Sequence, residues 1–192
     1  MSPRDALKQL LIRFAIKSNK ITLSSGRISD YFIEPRRVTL TAAGAHLIGL
    51  AYLDRFKELK LCVDVVGGME TAAPIAISIS AASYATRKEI QTFLIKRKVV
   101  FGGGTRLWVD GFRSGEVVLV EDLTTSGNST VDSLTKAAEV GINVKAVVTL
   151  IDREEGSAGR VKSICPFYRI FTAQELFAGF GKHASKPSSL PL

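Results

Sequence analysis

Val117-Val118-Leu119-Val120-Glu121-Asp122-Leu123-Thr124-Thr125-Ser126-Gly127-Asn128-Ser129 decides the fold. Four apolar residues, three of them β-branched, run into two adjacent carboxylates and then a loop of hydroxyls with one glycine. An uninterrupted apolar run reads as a strand buried on both faces, as in a parallel sheet. Behind it, Val131, Leu134, Ala137 and Ala138 follow helical spacing, and Gly141 is the stop. A strand, a hydroxyl-rich turn and a helix N-terminus together form an anion site, because the first helical amides lack partners and the macrodipole favours negative charge there. Glu121 and Asp122 leave the strand just before that cradle, so a ligand held there carries hydroxyls or a metal beside its phosphate. A sugar phosphate with a cis-diol fits. A strand end with a solvated acidic pair and an N-cap is the plainer reading of the same residues.

Other strand–turn–helix units flank this one. Leu61-Cys62-Val63-Asp64-Val65-Val66-Gly67-Gly68 reads as a second buried strand, and residues 71–84 continue as a small-residue helix. The Gly67-Gly68-Met69-Glu70-Thr71 turn can bring bare amides to a second anion, although Gly-Gly turns are common. It matches neither the dinucleotide fingerprint nor the P-loop, which sets both readings aside. Residues 144–151 form another apolar strand, ending in Asp152-Arg153-Glu154-Glu155-Gly156. Ligands bind at the carboxyl ends of strands in open α/β sheets. Arg153 is therefore placed to grip a carboxylate or phosphate bidentately.

Towards the N-terminus, Ser2-Pro3-Arg4-Asp5 reads as an N-cap, a first-turn proline and an acidic first turn. Leu7, Leu10, Leu11 and Phe14 extend an amphipathic helix from residue 3 to about 17. Residues 21–34 alternate around a Ser-Gly turn as a hairpin-like flap, closed by Pro35 and followed by Arg36-Arg37. Residues 41–59 are helical, with Leu47, Ile48, Ala51, Tyr52 and Phe56 on one side. His46 lies on that helix without a second histidine nearby or a cysteine at metal spacing. Residues 90–95 form a third strand, and Lys96-Arg97-Lys98 before Gly102-Gly103-Gly104 read as a mobile basic loop, with an exposed basic hairpin as the alternative. Residues 106–110 return as a strand. Residues 167–171 and 172–180 give a last strand and helix, and Lys, Ser and Pro dominate afterwards.

Composition bounds the partners. The chain has 192 residues, 46% of them hydrophobic, and a net charge of +8, enough for one sizeable core and suggestive of a polyanionic partner. No aromatic-interleaved basic face or finger motif supports nucleic acid. Neither a signal peptide nor an apolar run of membrane length is visible, so a soluble, cytoplasmic chain without a membrane role is expected. Cys62 and Cys165, far apart and in apolar surroundings, read as reduced core thiols rather than a disulfide. Alternating strands and helices make an α/β fold with a central, mostly parallel sheet. Three strand ends, at Gly67-Gly68, Glu121-Asp122 and Arg153, then converge on one edge.

Residues 118–129 resemble the phosphoribosyl pyrophosphate (PRPP) signature of type I phosphoribosyltransferases. Four further stretches are similar to the orotate phosphoribosyltransferase family: Thr22-Leu23-Ser24-Ser25-Gly26-Arg27-Ile28-Ser29-Asp30-Tyr31-Phe32, Arg36-Arg37-Val38-Thr39-Leu40, Arg97-Lys98 with its Gly-rich loop, and Asp152-Arg153-Glu154-Glu155-Gly156. The resemblance implies the type I phosphoribosyltransferase fold as a single domain over residues 1–181. A small hood would come from about 1–40 and the C-terminal part, and 182–192 would be a flexible tail. It implies transfer of phosphoribosyl from PRPP to orotate, with Mg²⁺ held mainly through PRPP and no protein metal cage. Glu121 and Asp122 would hold the ribose hydroxyls. Leu123 and Thr124 would also bind PRPP, and Thr125, Ser126, Gly127, Asn128 and Ser129 would cradle its 5-phosphate. Gly67 and Gly68 would open the pyrophosphate turn. Phe32, Thr125 and Arg153 would contact orotate, with Arg153 on its carboxylate. Arg97, Lys98 and Asp122 would carry the catalytic charge, Arg97 and Lys98 also touching PRPP, and a homodimer would pass the basic loop into its neighbour's site. A weakly active or non-catalytic PRPP-binding homologue, and transfer to another base, are the alternatives.

Four positions depart from the family pattern. Phe101 and Gly103 stand where the loop commonly has lysine and histidine, Ser24 stands for a frequent lysine, and Glu70 puts an anion in the pyrophosphate turn. A lost charge-assisted contact of about 1.5–3 kcal/mol slows turnover roughly ten- to several-hundred-fold unless Lys96 or Arg106 compensates.

Overall fold

The computed structural model describes residues 1–17, 21–22, 28–29, 32–86, 88–99, 105–111 and 114–180, with backbone alone at 21–22, 28–29, 97–99, 105–107 and 179–180. The turn at 23–27 with Ser24, the loop tip at 100–104 with Phe101 and Gly103, and the tail at 182–192 lie outside the described residues.

The chain opens with helix α1 (Pro3–Leu10), whose N-cap Ser2 hydroxyl accepts from the Asp5 amide at 3.1 Å. A π-helical turn, Leu11–Ala15, ends it earlier than the apolar spacing suggests. Ile16 is already extended, because β1 (Ile16–Lys17) pairs antiparallel with β4 (Phe32–Ile33). Between them β2 (Ile21–Thr22) and β3 (Ile28–Ser29) form the expected hairpin. A helical turn, α2 (Arg36–Thr39), leads to α3 (Ala42–Glu58), capped by the Thr41 hydroxyl, which accepts from the Gly44 amide at 3.0 Å.

Then come β5 (Val65–Met69), a 3₁₀ turn (Glu70–Ala72) and α4 (Ala73–Ser83), followed by β6 (Gln91–Val99), β7 (Thr105–Gly111) and β8 (Val117–Thr124). The last part is α5 (Asn128–Glu139), β9 (Val144–Asp152), α6 (Ser157–Lys162), β10 (Phe167–Thr172) and α7 (Ala173–Phe180). Strands β10-β9-β8-β5-β6-β7 form one sheet in that order, parallel except for β7. This is the α/β architecture expected from the alternating pattern. The apolar run Val117–Val120 is buried throughout because both faces are covered. Val118 and Val120 pack with Ile48, Tyr52 and Ile75 of α3 and α4, while Val117 and Leu119 pack with Leu134 and Ala137 of α5. Each such side chain contributes about 1.5–3 kcal/mol of burial.

Three expectations change. Lys96, Arg97 and Lys98 belong to β6, paired with Trp108, Leu107 and Arg106 of β7, so these three residues form a basic hairpin, the alternative to a mobile loop. Once β7 returns alongside, an extended chain satisfies its amides in a ladder that a loop cannot offer. Cys62 is exposed and accepts from the Lys88 ammonium at 3.0 Å, because it precedes β5, where the sheet has not begun; Cys165 is buried as expected, and both are free. Helix α6 was not expected at all.

Candidate active site

Strands β5 and β8 are neighbours, with Val65 opposite Val117 and Gly67 opposite Leu119, but their chains leave in opposite directions. Strand β5 feeds α4 and β6 on one side, and β8 feeds α5 and β9 on the other. Their carboxyl ends therefore flank the switch point of the sheet, where open α/β sheets bind ligands. Gly67-Gly68 and Glu121-Asp122 meet at that crevice. Both glycines are forced by proximity. A Cβ on Gly68 would stand 2.3 Å from the Val120 carbonyl oxygen, and one on Gly67 would stand 2.2 Å from that of Phe93.

Glu121 is 3% exposed, and its Oε1 has no hydrogen-bond partner; the buried Thr124 and Thr130 hydroxyls are also unpartnered. The solvated acidic pair is therefore not what the fold builds. Burial, reinforced by the neighbouring Asp122 charge, pushes the Glu121 carboxyl up to about 8. Asp122 is less buried, and burial raises it too, against the Leu123 amide, which donates to its Oδ1 at 2.9 Å, and against Arg36. Tyr52 of α3, fully buried, donates to the Val148 carbonyl at 3.4 Å; desolvation first, then Asp122 and Glu121, lifts its hydroxyl well above the ordinary tyrosine range. Orphaned polar atoms at a strand end await a ligand with hydroxyls.

The phosphate cradle follows. Gly127 turns the chain at φ +81° into α5, and no side chain caps that helix, so its first amides face outward without helical partners. A Cβ on Gly127 would sit 3.1 Å from Val161 Cγ2 and 3.2 Å from Ser157 Cα, because α6 packs beneath the turn. The Ser157 amide donates to the Thr125 carbonyl at 3.1 Å, and the Arg153 amide donates to that of Thr124 at 2.9 Å. Asp152, fully buried, ties the two turns: its Oδ1 accepts from the Ser157 hydroxyl at 2.6 Å and the Glu154 amide at 2.9 Å, and its Oδ2 accepts from Arg169 at 3.0 Å.

The fold thus brings Gly67, Gly68, Glu121, Asp122, the loop from Leu123 to Ser129, and Arg153 to one edge. Arg153 points inward, its side chain 3% exposed and its Nε donating to Glu155 at 2.8 Å. Phe32 sits on β4, partly exposed. Arg97 and Lys98 have their backbone on β6, on the far side of β5 from Glu121. The sequence reading missed Arg160 of α6, which donates to Asn128 at the cradle's mouth. The only signal for that helix was Ser157 with Val161 four residues on, too short a period to stand out. No group of three metal-ligating side chains occurs among the described residues.

Solved structures share this architecture. Mycobacterium tuberculosis orotate phosphoribosyltransferase in complex with inorganic phosphate is similar at a TM-score of 0.76 and 28% identity, over 91% of this chain and 98% of that one. The same enzyme in complex with PRPP is similar at 0.74 and 27% identity, over 91% and 99%. Sheet order and switch-point site make the fold that of the type I phosphoribosyltransferases. Sequence is more specific, since the Streptomyces coelicolor orotate phosphoribosyltransferase is 34% identical over 162 residues, 83% of this chain and 87% of the relative. The chain belongs to the orotate phosphoribosyltransferase family. No protein-family model matches it.

Proposed function

We propose that the protein transfers the phosphoribosyl group of PRPP to a ring nitrogen of orotate, giving orotidine 5′-phosphate and pyrophosphate for pyrimidine (UMP) biosynthesis. The observation that carries this is the meeting of the Gly67-Gly68 turn, the buried Glu121-Asp122 pair and the uncapped N-terminus of α5 at one switch point. The α5 amides and the hydroxyls of Thr125, Ser126 and Ser129 take the 5-phosphate. Glu121, neutral below its raised pKa of about 8, both donates and accepts, and so serves a ribose hydroxyl without a buried negative charge. Asp122 supplies the negative charge that favours an oxocarbenium-like transition state. Arg153 takes the orotate carboxylate, and Glu155 stands in for it in the free protein. The donor set fits Mg²⁺ held through PRPP: the unpartnered Glu121 Oε1 and Asp122 suit a diol and its bound cation better than a protein cage. Bound there, the ion neutralises charge on the leaving pyrophosphate.

Residues 1–181 act as one domain, supported by α1, α3, α4 and α7 packing into one core on the same face of the sheet. A homodimer is supported by the exposed Ile77 and Ala81 of α4 and Tyr84 at its C-cap, with Trp108 also exposed on the edge strand β7. A cytoplasmic setting is supported by the two free thiols. No helix among the described residues is long and apolar enough to cross a membrane.

The test is a base panel with PRPP and Mg²⁺. Orotate is consumed, whereas uracil, adenine and hypoxanthine are not. Arg153→Ala raises the orotate KM roughly ten- to a hundredfold, as loss of a hydrogen bond to a charged group does. Orotate binding that ignores Arg153→Ala would sink the orotate assignment, and PRPP binding without base consumption would leave a PRPP-binding homologue.

A further inference from the structure

The cradle at the start of α5 has dipoles but no charge of its own. Thr124 to Ser129 are all uncharged, and the first turn of α5 holds neither an acid nor a base. A phosphate monoester brings about two negative charges to such a site at neutral pH. One cation reaches it, from α6. That helix lies against the turn: a Cβ on Gly127 would meet Ser157 and Val161, and the Ser157 amide donates to the Thr125 carbonyl at 3.1 Å. Arg160 follows Ser157 by three residues, the spacing that puts side chains next to each other on one side of a helix. Its Nη1 donates to Oδ1 of Asn128, the first residue of α5. The other two arginines of this edge are engaged by carboxylates, Arg153 by Glu155 and Arg169 by Asp152. Arg160 is exposed, and among the described residues no carboxylate forms an ion pair with it.

We infer that Arg160 is a binding residue for the 5-phosphate of PRPP, its guanidinium adding the charge that the cradle's amides and hydroxyls lack. The inference rests on the PRPP-binding reading above. In the free protein the Asn128 side-chain oxygen takes one donor of the guanidinium, which leaves others for phosphate oxygens, and the planar fork matches a phosphate bidentately. The 5-phosphate is not altered by the transfer. Its contacts are therefore the same in the ground and transition states, and they lower the KM for PRPP without changing kcat.

Calorimetry on the full chain tests it, with ribose 5-phosphate and pyrophosphate as separate probes of the two ends of PRPP, beside steady-state kinetics. Arg160→Ala weakens ribose 5-phosphate binding and raises the PRPP KM by roughly three- to tenfold, between the scale of an exposed ion pair and that of a full charge-assisted hydrogen bond. Pyrophosphate affinity, the orotate KM and kcat stay as they are. Arg160→Gln keeps a donor for Asn128 without the charge and loses affinity as the alanine variant does; Arg160→Lys retains most of it. In an Asn128→Ala background, Arg160→Ala still weakens ribose 5-phosphate. If the effect vanishes in that background, Arg160 is only a prop for Asn128 and the inference is overturned. Ribose 5-phosphate affinity unchanged in Arg160→Ala, or a loss shared equally by pyrophosphate and orotate, overturns it too, while the enzyme reading stands. A wild type that neither binds PRPP nor consumes orotate overturns both.

Discussion

The β8–α5 turn and the β6–β7 arm flank the same crevice, and they are built in opposite ways. The turn grows out of the core: Glu121, Thr124 and Thr130 are buried, and Asp152 and Ser157 pin its far side with hydrogen bonds of 2.6–3.1 Å. The arm grows outward from it: Trp108 is 48% exposed, and a surface ion pair between Lys96 and Asp110 holds its base. Binding a sugar phosphate needs donors and acceptors fixed beforehand, and only a packed core fixes them. Closing over a leaving group needs reach, which an edge hairpin supplies. The signature residues from Glu121 to Ser129 stand on and beside the packed core, and the departures at Phe101 and Gly103 lie outside the described residues.

Paired substitutions break or sharpen this contrast. The largest effect is expected from Gly68→Val, whose Cβ meets the Val120 carbonyl oxygen at 2.3 Å; it costs about 3 kcal/mol or more in urea unfolding. Trp108→Ala on the arm costs under about 1 kcal/mol. Equal losses would mean that the arm is as much a part of the core as the turn. Next comes Asp152→Ala, which strips partners from the buried Ser157 hydroxyl and the Glu154 amide and lowers stability by about 2–3 kcal/mol. PRPP affinity, read by calorimetry, falls with it, because Ser157 also holds the Thr125 carbonyl.

The last effect is graded with pH. Glu121 keeps its proton to about 8 in the folded chain, while the unfolded chain releases it near the ordinary 4.5. Across that window the folded state binds more protons, so stability falls as pH rises, by at most about 1.4 kcal/mol per unit, and levels off above 8. Glu121→Gln removes this slope. Urea midpoints at a series of pH values decide it, and parallel curves for wild type and variant would show an ionised Glu121.

Much of the framework could be read directly. Val117–Val120 is apolar on both of its alternating faces, and only a covered strand buries both, so the parallel sheet followed. Ser2 announced its helix, because a side-chain oxygen before an apolar period satisfies an orphan amide, and the structure adds Thr41 as a cap of the same kind. The site-forming strand ends were legible for the same reason: chemistry-bearing residues stand immediately after each buried run. The arm was not. Lys96-Arg97-Lys98 has no apolar alternation, and its strand conformation comes from its ladder with the next strand, β7. Cys62 misled because its neighbours are apolar, yet the sheet starts only at Val65.

The sequence alone determined the order of strands and helices apart from α6, the acidic pair, the hydroxyl loop and the family they resemble, since these follow from local periodicity and residue chemistry. Tertiary structure alone decided that β5 and β8 lie side by side, that Glu121 is desolvated enough to hold a proton, that Arg153 faces inward against Glu155, and that Lys96 pairs with Asp110 of β7. Charge state and charge pairing depend on burial and on distances across strands, and those exist only once the chain has folded.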